Sequence, residues 1–266
     1  MDQFILIIGN DLRKAVKQKY VQYLLISCVL LQTVPMLLIV SNSQLLFQLS
    51  KSGSYDSLFA SFYLGQYAFI SSLGIIITNL VLFFILSNER DNNMWKFLLS
   101  LPVPPEFYVF AKLSAALLLN LGLVTILFLQ TLLEGAILSY MLPNTQFIEF
   151  GKSLLVLGVF LSKFYLIATA ATCFHLLIHF YLRNRALLLL LSVFTPIICL
   201  YDFMSYLPYG WAMSNFWLGK KIENGMRLSD SLIGRYEVMS IIFLLLTALL
   251  ITAFKNKIYK YSNFFK

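Results

Sequence analysis

Long apolar runs restrict the fold of this chain more than any other feature of its sequence. Hydrophobic residues make up 59% of the 266 residues and charged residues only 12%, and the mean hydropathy is +0.80. A helix needs about 20 apolar residues to cross a hydrocarbon layer about 30 Å thick. A soluble core would not need several runs of that length. The pattern therefore predicts an all-α integral membrane protein.

Six such runs predict six transmembrane helices in a single domain that covers residues 1–266. The fourth run is longer than one crossing requires, so we expect it to tilt, kink or project from the bilayer. The aromatic-rich segment 202–237 follows the fifth run, and its length leaves open whether it re-enters the membrane. The predicted spans are about residues 21–40, 65–86, 111–133, 154–182, 186–201 and 238–254.

The first 20 residues combine apolar and basic positions at helical spacing. This pattern is typical of an amphipathic helix that lies on a membrane surface. A cleaved signal peptide is the alternative, but the charged region is long and no small-residue cleavage site follows the apolar run. The apolar positions are Phe4, Ile5, Ile8, Leu12, Ala15 and Val16, and the polar positions are Asp11, Arg13, Lys14, Lys17 and Lys19.

Basic residues are unevenly distributed between the two sides of the predicted bundle. By the positive-inside rule, both termini and the segment between the second and third spans are expected to face the cytoplasm. The net charge of +8 is explained by topology and anionic lipid, so we expect no nucleic-acid partner. The richer side holds Arg13, Lys14, Lys17, Lys19, Arg90, Lys96, Lys112, Arg183, Arg185, Lys255, Lys257, Lys260 and Lys266, and the other side holds Lys51, Lys152, Lys220, Lys221, Arg227 and Arg235.

Residues 87–112, here called the central segment, form a polar insertion between two long apolar runs. The pattern predicts a short amphipathic helix that ends at prolines and forms a docking surface for another protein. An ordinary interfacial helix held by lipid is the alternative. The charged residues are Glu89, Arg90 and Asp91, the apolar ones are Met94, Trp95, Phe97, Leu98 and Leu99, and the prolines are Pro102, Pro104 and Pro105.

Nucleotide-binding and metal-binding signals are weak. The residues before Lys152 imitate the end of a phosphate-binding loop, but Gln146 stands where that motif needs glycine. The three cysteines lie inside apolar runs without metal-ligand spacing and are expected to pack as small hydrophobic residues. We therefore expect no cofactor bound to the chain itself. These cysteines are Cys28, Cys173 and Cys199.

Two histidines and one lysine stand out within the apolar runs. His175 and His179 share one helix face and could bind a metal, but a polar stripe facing neighbouring helices is favoured because no carboxylate or thiol is in register. We also expect no Ser/His pair at similar membrane depth near a plausible oxyanion site, and no catalytic residue. Lys163 lies inside the fourth span, where an ammonium group is costly. It either extends to the outer interface, with Glu134 or Glu149 as partner, or belongs to a substrate path or a helix contact.

The central segment resembles the stretch between the second and third spans of ABC type-2 exporter permeases. These permeases often have an acidic start, a Leu-Leu-Ser-x-Pro-like centre and a lysine that opens the next helix. The full-length layout is most similar to the short permeases of bacteriocin and lantibiotic immunity and of bacitracin export. One departure is that Asn92 and Asn93 stand where a glycine is common. The matching residues are Glu89 to Asp91, Trp95, Leu98, Leu99, Ser100, Pro102, Val103 and Lys112.

The resemblance implies a permease subunit without its own motor, in a bacterial cytoplasmic membrane. A separate cytoplasmic ABC ATPase dimer would use ATP, and a second permease, identical or related, would complete the path. The substrate would be amphipathic or lipid-embedded, for example an antimicrobial peptide, with a role in self-immunity or resistance. A scaffold or sensor subunit of a signalling complex and a membrane-embedded enzyme are the alternatives. The residues expected to contact the ATPase are Glu89, Arg90, Trp95, Leu98, Leu99 and Pro102.

Overall fold

Every long element in the described part of the chain is an α-helix. The computed structural model describes residues 2–41, 66, 69–91, 104–141, 150–182, 184–199, 207–208, 211 and 234–253. A π-helical turn, Ile70–Gly74, leads directly into α3. The helices are α1 (Asp2–Lys17), α2 (Lys19–Ser41), α3 (Ile75–Asp91), α4 (Pro105–Met141), α5 (Phe150–Tyr181), α6 (Arg185–Cys199) and α7 (Arg235–Ala253).

Five helices in these ranges are long and apolar enough to cross a membrane, judged by length and composition. They overlap the first, second, third, fourth and sixth predicted spans, with different bounds. α6 has 15 residues, which corresponds to about 22 Å and is less than the hydrocarbon thickness of about 30 Å. A sixth crossing at α6 therefore remains a prediction. The five stretches are Lys19–Leu38, Ile70–Ser87, Glu106–Met141, Leu157–His179 and Arg235–Ala253.

Side-chain contacts show that α2 and α4 run in the same direction. Asp11, shortly before α2, contacts Lys112 near the start of α4. Further along both helices, Gln32 of α2 donates a hydrogen bond to Thr131 of α4. We call the end of the bundle that contains α1 and the starts of α2 and α4 the α1 end, and the other end the opposite end.

α3, α5 and α7 run against α2 and α4. Tyr20 at the start of α2 stacks on Phe84 near the end of α3, with ring centroids 5.3 Å apart. α5 and α7 are parallel to each other, because Lys163 contacts Glu237 and, further along both helices, Phe174 contacts Phe243. The alternating directions agree with a chain that crosses the membrane repeatedly.

α3 and α5 form the centre of the bundle. Most of their side chains are buried, whereas most side chains of α2 and α7 are exposed on the outside. The two central helices approach closely at Gly74, where a Cβ atom would lie 2.5 Å from Cζ of the buried Phe164. Any larger residue at position 74 would therefore have to displace this ring.

α1 is helical as predicted. Ile5 and Val16 of its predicted apolar stripe are exposed on the outside of the bundle, where they can contact lipid, and Ala15 is buried. Asp11, expected on the polar face, is instead buried against α4. The reason is that α4 packs against α1 and supplies a charged partner for Asp11, which a helix lying alone on lipid would not have.

α4 extends beyond the predicted third span at both ends. It has 37 residues, or about 55 Å at the usual helical rise. Pro105 is its first residue, a position that proline favours because the missing N–H has no helical acceptor there. The last residues of the central segment therefore belong to α4 itself.

Candidate functional site

The predicted docking residues are divided between described and undescribed parts of the chain. Glu89 and Arg90 lie in the last turn of α3, which ends at Asp91. Trp95, Leu98, Leu99 and Pro102 lie outside the described residues, so the predicted docking set as a whole stays a prediction. What the structure describes is the support on either side of them: the end of α3, the start of α4, and α1.

A buried ion pair joins α1 to the start of α4. Nζ of Lys112 lies 2.6 Å from Oδ1 of Asp11, and the two side chains are only 2% and 5% exposed. Phe4 and Phe107 add an edge-to-face ring contact on the same pair of helices, with centroids 6.0 Å apart. Removing one partner of a buried ion pair typically costs about 3–5 kcal/mol, because the other charge stays buried. α1 is thus firmly attached next to the central segment.

A second polar site lies toward the opposite end, where one carboxylate is surrounded by amides. We call Gln32, Gln66, Gln130, Thr131 and Glu134 the glutamate cluster. Gln66 Nε2 donates to Oε2 of Glu134 at 2.7 Å, and Gln130 Nε2 donates to Oε1 of Glu134 at 2.8 Å. Gln32 Nε2 donates hydrogen bonds to Thr131 Oγ1 and to the Leu127 carbonyl. Gln66 Nε2 also donates to the Gln32 carbonyl, and Gln130 Nε2 to the Val29 carbonyl.

The amide oxygens of this cluster are left without donors. Oε1 of Gln32, of Gln66 and of Gln130 is buried, and none of them accepts a hydrogen bond from a described residue. Flipping the amides does not help, because each Nε2 faces a carbonyl or carboxylate oxygen that can only accept. A buried polar atom left unsatisfied costs about 1–3 kcal/mol. Three such oxygens beside one carboxylate therefore need an explanation.

Lys163 has a partner that the sequence did not predict. Its Nζ lies 3.2 Å from Oε1 of Glu237 on α7, and both side chains are buried. Oε2 of Glu237 accepts the N–H of Gly234 at 2.8 Å, as a glutamate in the first turn of a helix often does. Glu134 was the wrong partner, since it belongs to the glutamate cluster, and Glu149 lies outside the described residues.

The two histidines, His175 and His179, lie in different surroundings. His175 Nε2 lies 2.7 Å from Oγ of Ser192 on α6, and both residues are fully buried. A Ser/His pair therefore does share one depth, and the expectation that no such pair lies near an oxyanion site stays a prediction. Ser192 Oγ also lies within 2.8 Å of the Leu188 carbonyl, to which it donates. His179 lies beside the Phe83 ring, and the described residues contain no group of three or more potential metal ligands among His, Cys, Asp and Glu.

Sequence reasoning missed the glutamate cluster because its members come from three distant segments. A usable signal did exist, since Gln32 and Glu134 are polar residues within or beside apolar runs, where such groups are costly and usually functional. Pairing them required knowing that α2 and α4 run in parallel. The ion pairs Asp11–Lys112 and Lys163–Glu237 escaped prediction for the same reason.

Repeated apolar helices, few charges and buried polar contacts between helices define a multi-pass membrane protein. A family model described as "ABC-2 family transporter protein" matches residues 8–198, which is well over half of the chain. The chain therefore belongs to the ABC-2 family of transporter proteins, as a permease subunit that works with an ATPase subunit. Neither a curated protein nor a solved structure was found to match it.

Proposed function

We propose that this chain is the permease of an ATP-driven exporter for an amphipathic or lipid-embedded substrate, such as an antimicrobial peptide. A separate cytoplasmic ATPase dimer hydrolyses ATP, and the chain itself binds no cofactor and has no catalytic residue. Family membership and the apolar composition support the permease part. The export direction and the role in immunity or resistance rest on the resemblance of the central segment to the bacteriocin, lantibiotic and bacitracin permeases.

The observation that carries the proposal is the attachment of α1 to α4 beside the central segment. α4 begins at Pro105, three residues after Pro102 in sequence, so movement of the docked segment would be passed on to a spanning helix over a short stretch of chain. The buried Asp11–Lys112 pair makes α1 follow the start of α4. Along α4, Glu134 is about 33 Å from Lys112 at a rise of about 1.5 Å per residue. One helix therefore connects the docking side to a polar site at the opposite end.

The docking contacts follow from the chemistry of the residues. Trp95 and Leu98 would fill an apolar groove on the ATPase, because buried aromatic and aliphatic anchors supply most of the energy of such interfaces. Glu89 and Arg90 would set the register by charge pairing. Leu99 and Pro102 would complete the apolar surface and end the helix.

A second permease, identical or related, is part of the proposal. The outward side chains of α2 and α7 are largely exposed apolar residues, which suit either lipid or another set of transmembrane helices. Two sets of helices give two central segments, one for each subunit of the ATPase dimer. ATP-driven closure of that dimer would shift both central segments and favour the outward-open packing of the helices.

Docking is tested by co-purification with a stand-alone ABC ATPase, whose gene we expect to find beside that of the permease. The variant Trp95→Ala/Leu98→Ala is expected to bind about tenfold less ATPase, or still less, because truncating a hot-spot residue costs about 2 kcal/mol or more of binding free energy. Leu190→Ala/Phe194→Ala removes one aliphatic and one aromatic exposed side chain from α6 and serves as the matched control. Retention of the ATPase by the first variant would contradict docking at this segment.

A scaffold or sensor subunit would use the same docking surface without moving a substrate. Reconstituted vesicles that contain both subunits distinguish the two functions. An exporter is expected to show peptide-stimulated ATP hydrolysis and ATP-dependent loss of peptide from the membrane. Binding of peptide with no ATP-dependent flux would favour the sensor.

The buried pair of Ser192 and His175 is the observation that would favour an enzyme. Ser192→Ala is expected to leave ATP-dependent export unchanged.

A further inference from the structure

We propose that the glutamate cluster is a binding site for one monovalent cationic group, such as a small alkali cation or a primary ammonium group. The cluster consists of Gln32 on α2, Gln130, Thr131 and Glu134 on α4, and Gln66, four residues before the π-helical turn in sequence. The proposal goes beyond export, because binding to the isolated chain requires neither the ATPase nor transport.

Hydrogen-bond counting shows what the cluster lacks. Each of the three Nε2 groups already donates to two acceptors, and the Thr131 hydroxyl donates to the Leu127 carbonyl. The donors of the cluster are therefore used, whereas three amide oxygens accept nothing from the described residues. A ligand that fits this set must bring donors or a positive charge, and hard oxygen ligands of this kind suit alkali cations and ammonium groups.

The net charge of the cluster indicates how much positive charge a ligand should carry. Glu134 is the one acidic residue of the cluster, and within the described ranges no basic side chain forms an ion pair with it. The two buried lysines pair elsewhere, Lys163 with Glu237 and Lys112 with Asp11 at the α1 end. A single positive charge would neutralise the site, whereas a divalent cation would leave an excess charge in a poorly hydrated place.

A proton on Glu134 would not complete the cluster. A carboxylic acid supplies one O–H donor, so at least two of the three amide oxygens would stay unsatisfied. A cation can bind several oxygens at once, so it accounts for more of them than a proton does.

The cluster is largely buried. Gln32, Gln66, Thr131 and Glu134 are at most 2% exposed, so a bound cation would be almost fully dehydrated. Gln130 is half-buried and is the most exposed member of the cluster, although its Oε1 is buried. We expect a ligand to enter beside Gln130.

Thermal unfolding of the purified full-length chain in lipid nanodiscs tests the proposal. NaCl, KCl and butylammonium chloride are titrated separately against tetramethylammonium chloride at constant ionic strength, because tetramethylammonium has no N–H donor and is too large for the site. At least one probe is expected to raise the unfolding midpoint saturably, by about 3 °C at ten times its Kd. A response to Na⁺ or K⁺ alone assigns an inorganic ion, and a response to butylammonium alone assigns an amine.

The variant Glu134→Gln is nearly isosteric and removes the charge, so it is expected to abolish the response. Glu237→Gln also neutralises a buried glutamate, but outside the cluster, and should keep the response. Direct binding of ²²Na⁺ to the wild-type chain supplies a readout that does not depend on the stability of either variant. Absence of a saturable response to all three probes and of ²²Na⁺ binding would overturn the proposal, as would an equal response in Glu134→Gln.

Discussion

Lys112 and Lys163 each place an ammonium group inside the helix bundle against a carboxylate. The Lys163–Glu237 pair connects two helices, and Gly234 N–H shares the same carboxylate. A Cβ atom at position 234 would lie 2.6 Å from Oε2 of Glu237, so glycine leaves room for the carboxylate in this position. These contacts indicate that Lys163 holds α5 against α7, and they leave a direct role in the substrate path as a prediction.

The two roles of Lys163 can be separated by a pair of variants. Lys163→Met is expected to lower the free energy of unfolding by about 3 kcal/mol, because Glu237 keeps a buried charge without its partner. Lys163→Met/Glu237→Gln removes both charges and should recover most of that loss. Unfolding in detergent measures the stability, and peptide export by the same proteins measures function.

Export by the double variant decides between the roles. If Lys163 acts only as a helix contact, the recovered protein exports normally. Lost export in a protein of wild-type stability would instead place Lys163 on the substrate path.

At the scale of helices, packing depends on small residues where two helices meet. Gly74 ends the π-helical turn and faces Phe164 of α5, whereas Gly122 of α4 has open space around it. A larger side chain is therefore expected to be tolerated at position 122 but not at position 74.

Gly74→Val is expected to destabilise the protein by about 1–3 kcal/mol, because a buried aromatic ring must move to accommodate the added atoms. Gly122→Ala is the matched control and should be neutral or stabilising by up to about 1 kcal/mol, since alanine favours helix. Midpoints of thermal unfolding compare the variants. Phe164→Leu shortens the opposing side chain and should lower the cost of Gly74→Val in a double-mutant cycle. Additive effects of these two substitutions would contradict the contact.

For the whole molecule, the long apolar runs made the helices and the membrane location predictable, and the resemblance of the central segment indicated the permease family. A run of about 20 apolar residues has few alternatives to a spanning helix. Contacts between distant segments were not predictable in the same way. Glu237 is 74 residues from Lys163 in sequence, and Gln66 is 68 residues from Glu134. Such pairs depend on helix order and rotation, which local periodicity does not encode.

The sidedness of the molecule remains a prediction with a direct test. Gly9→Cys in α1 and Tyr140→Cys near the end of α4 place thiols on exposed residues at opposite ends of the bundle. With Cys28, Cys173 and Cys199 replaced by alanine, an impermeant maleimide added to intact cells is expected to label position 140 and not position 9. Permeabilised cells should show labelling at both positions and serve as the control. Labelling of position 9 in intact cells would reverse the topology.

The length of α4 has a mechanical consequence. A continuous helix of 37 residues is a lever arm of about 55 Å. If it pivots by about 10° as a rigid rod, one end shifts relative to the other by about 10 Å, which is close to the width of a helix with its side chains. A small rotation of α4 at the docking side would thus require little rearrangement there. It would still be enough to open or close a gap between neighbouring helices on the other side of the bilayer.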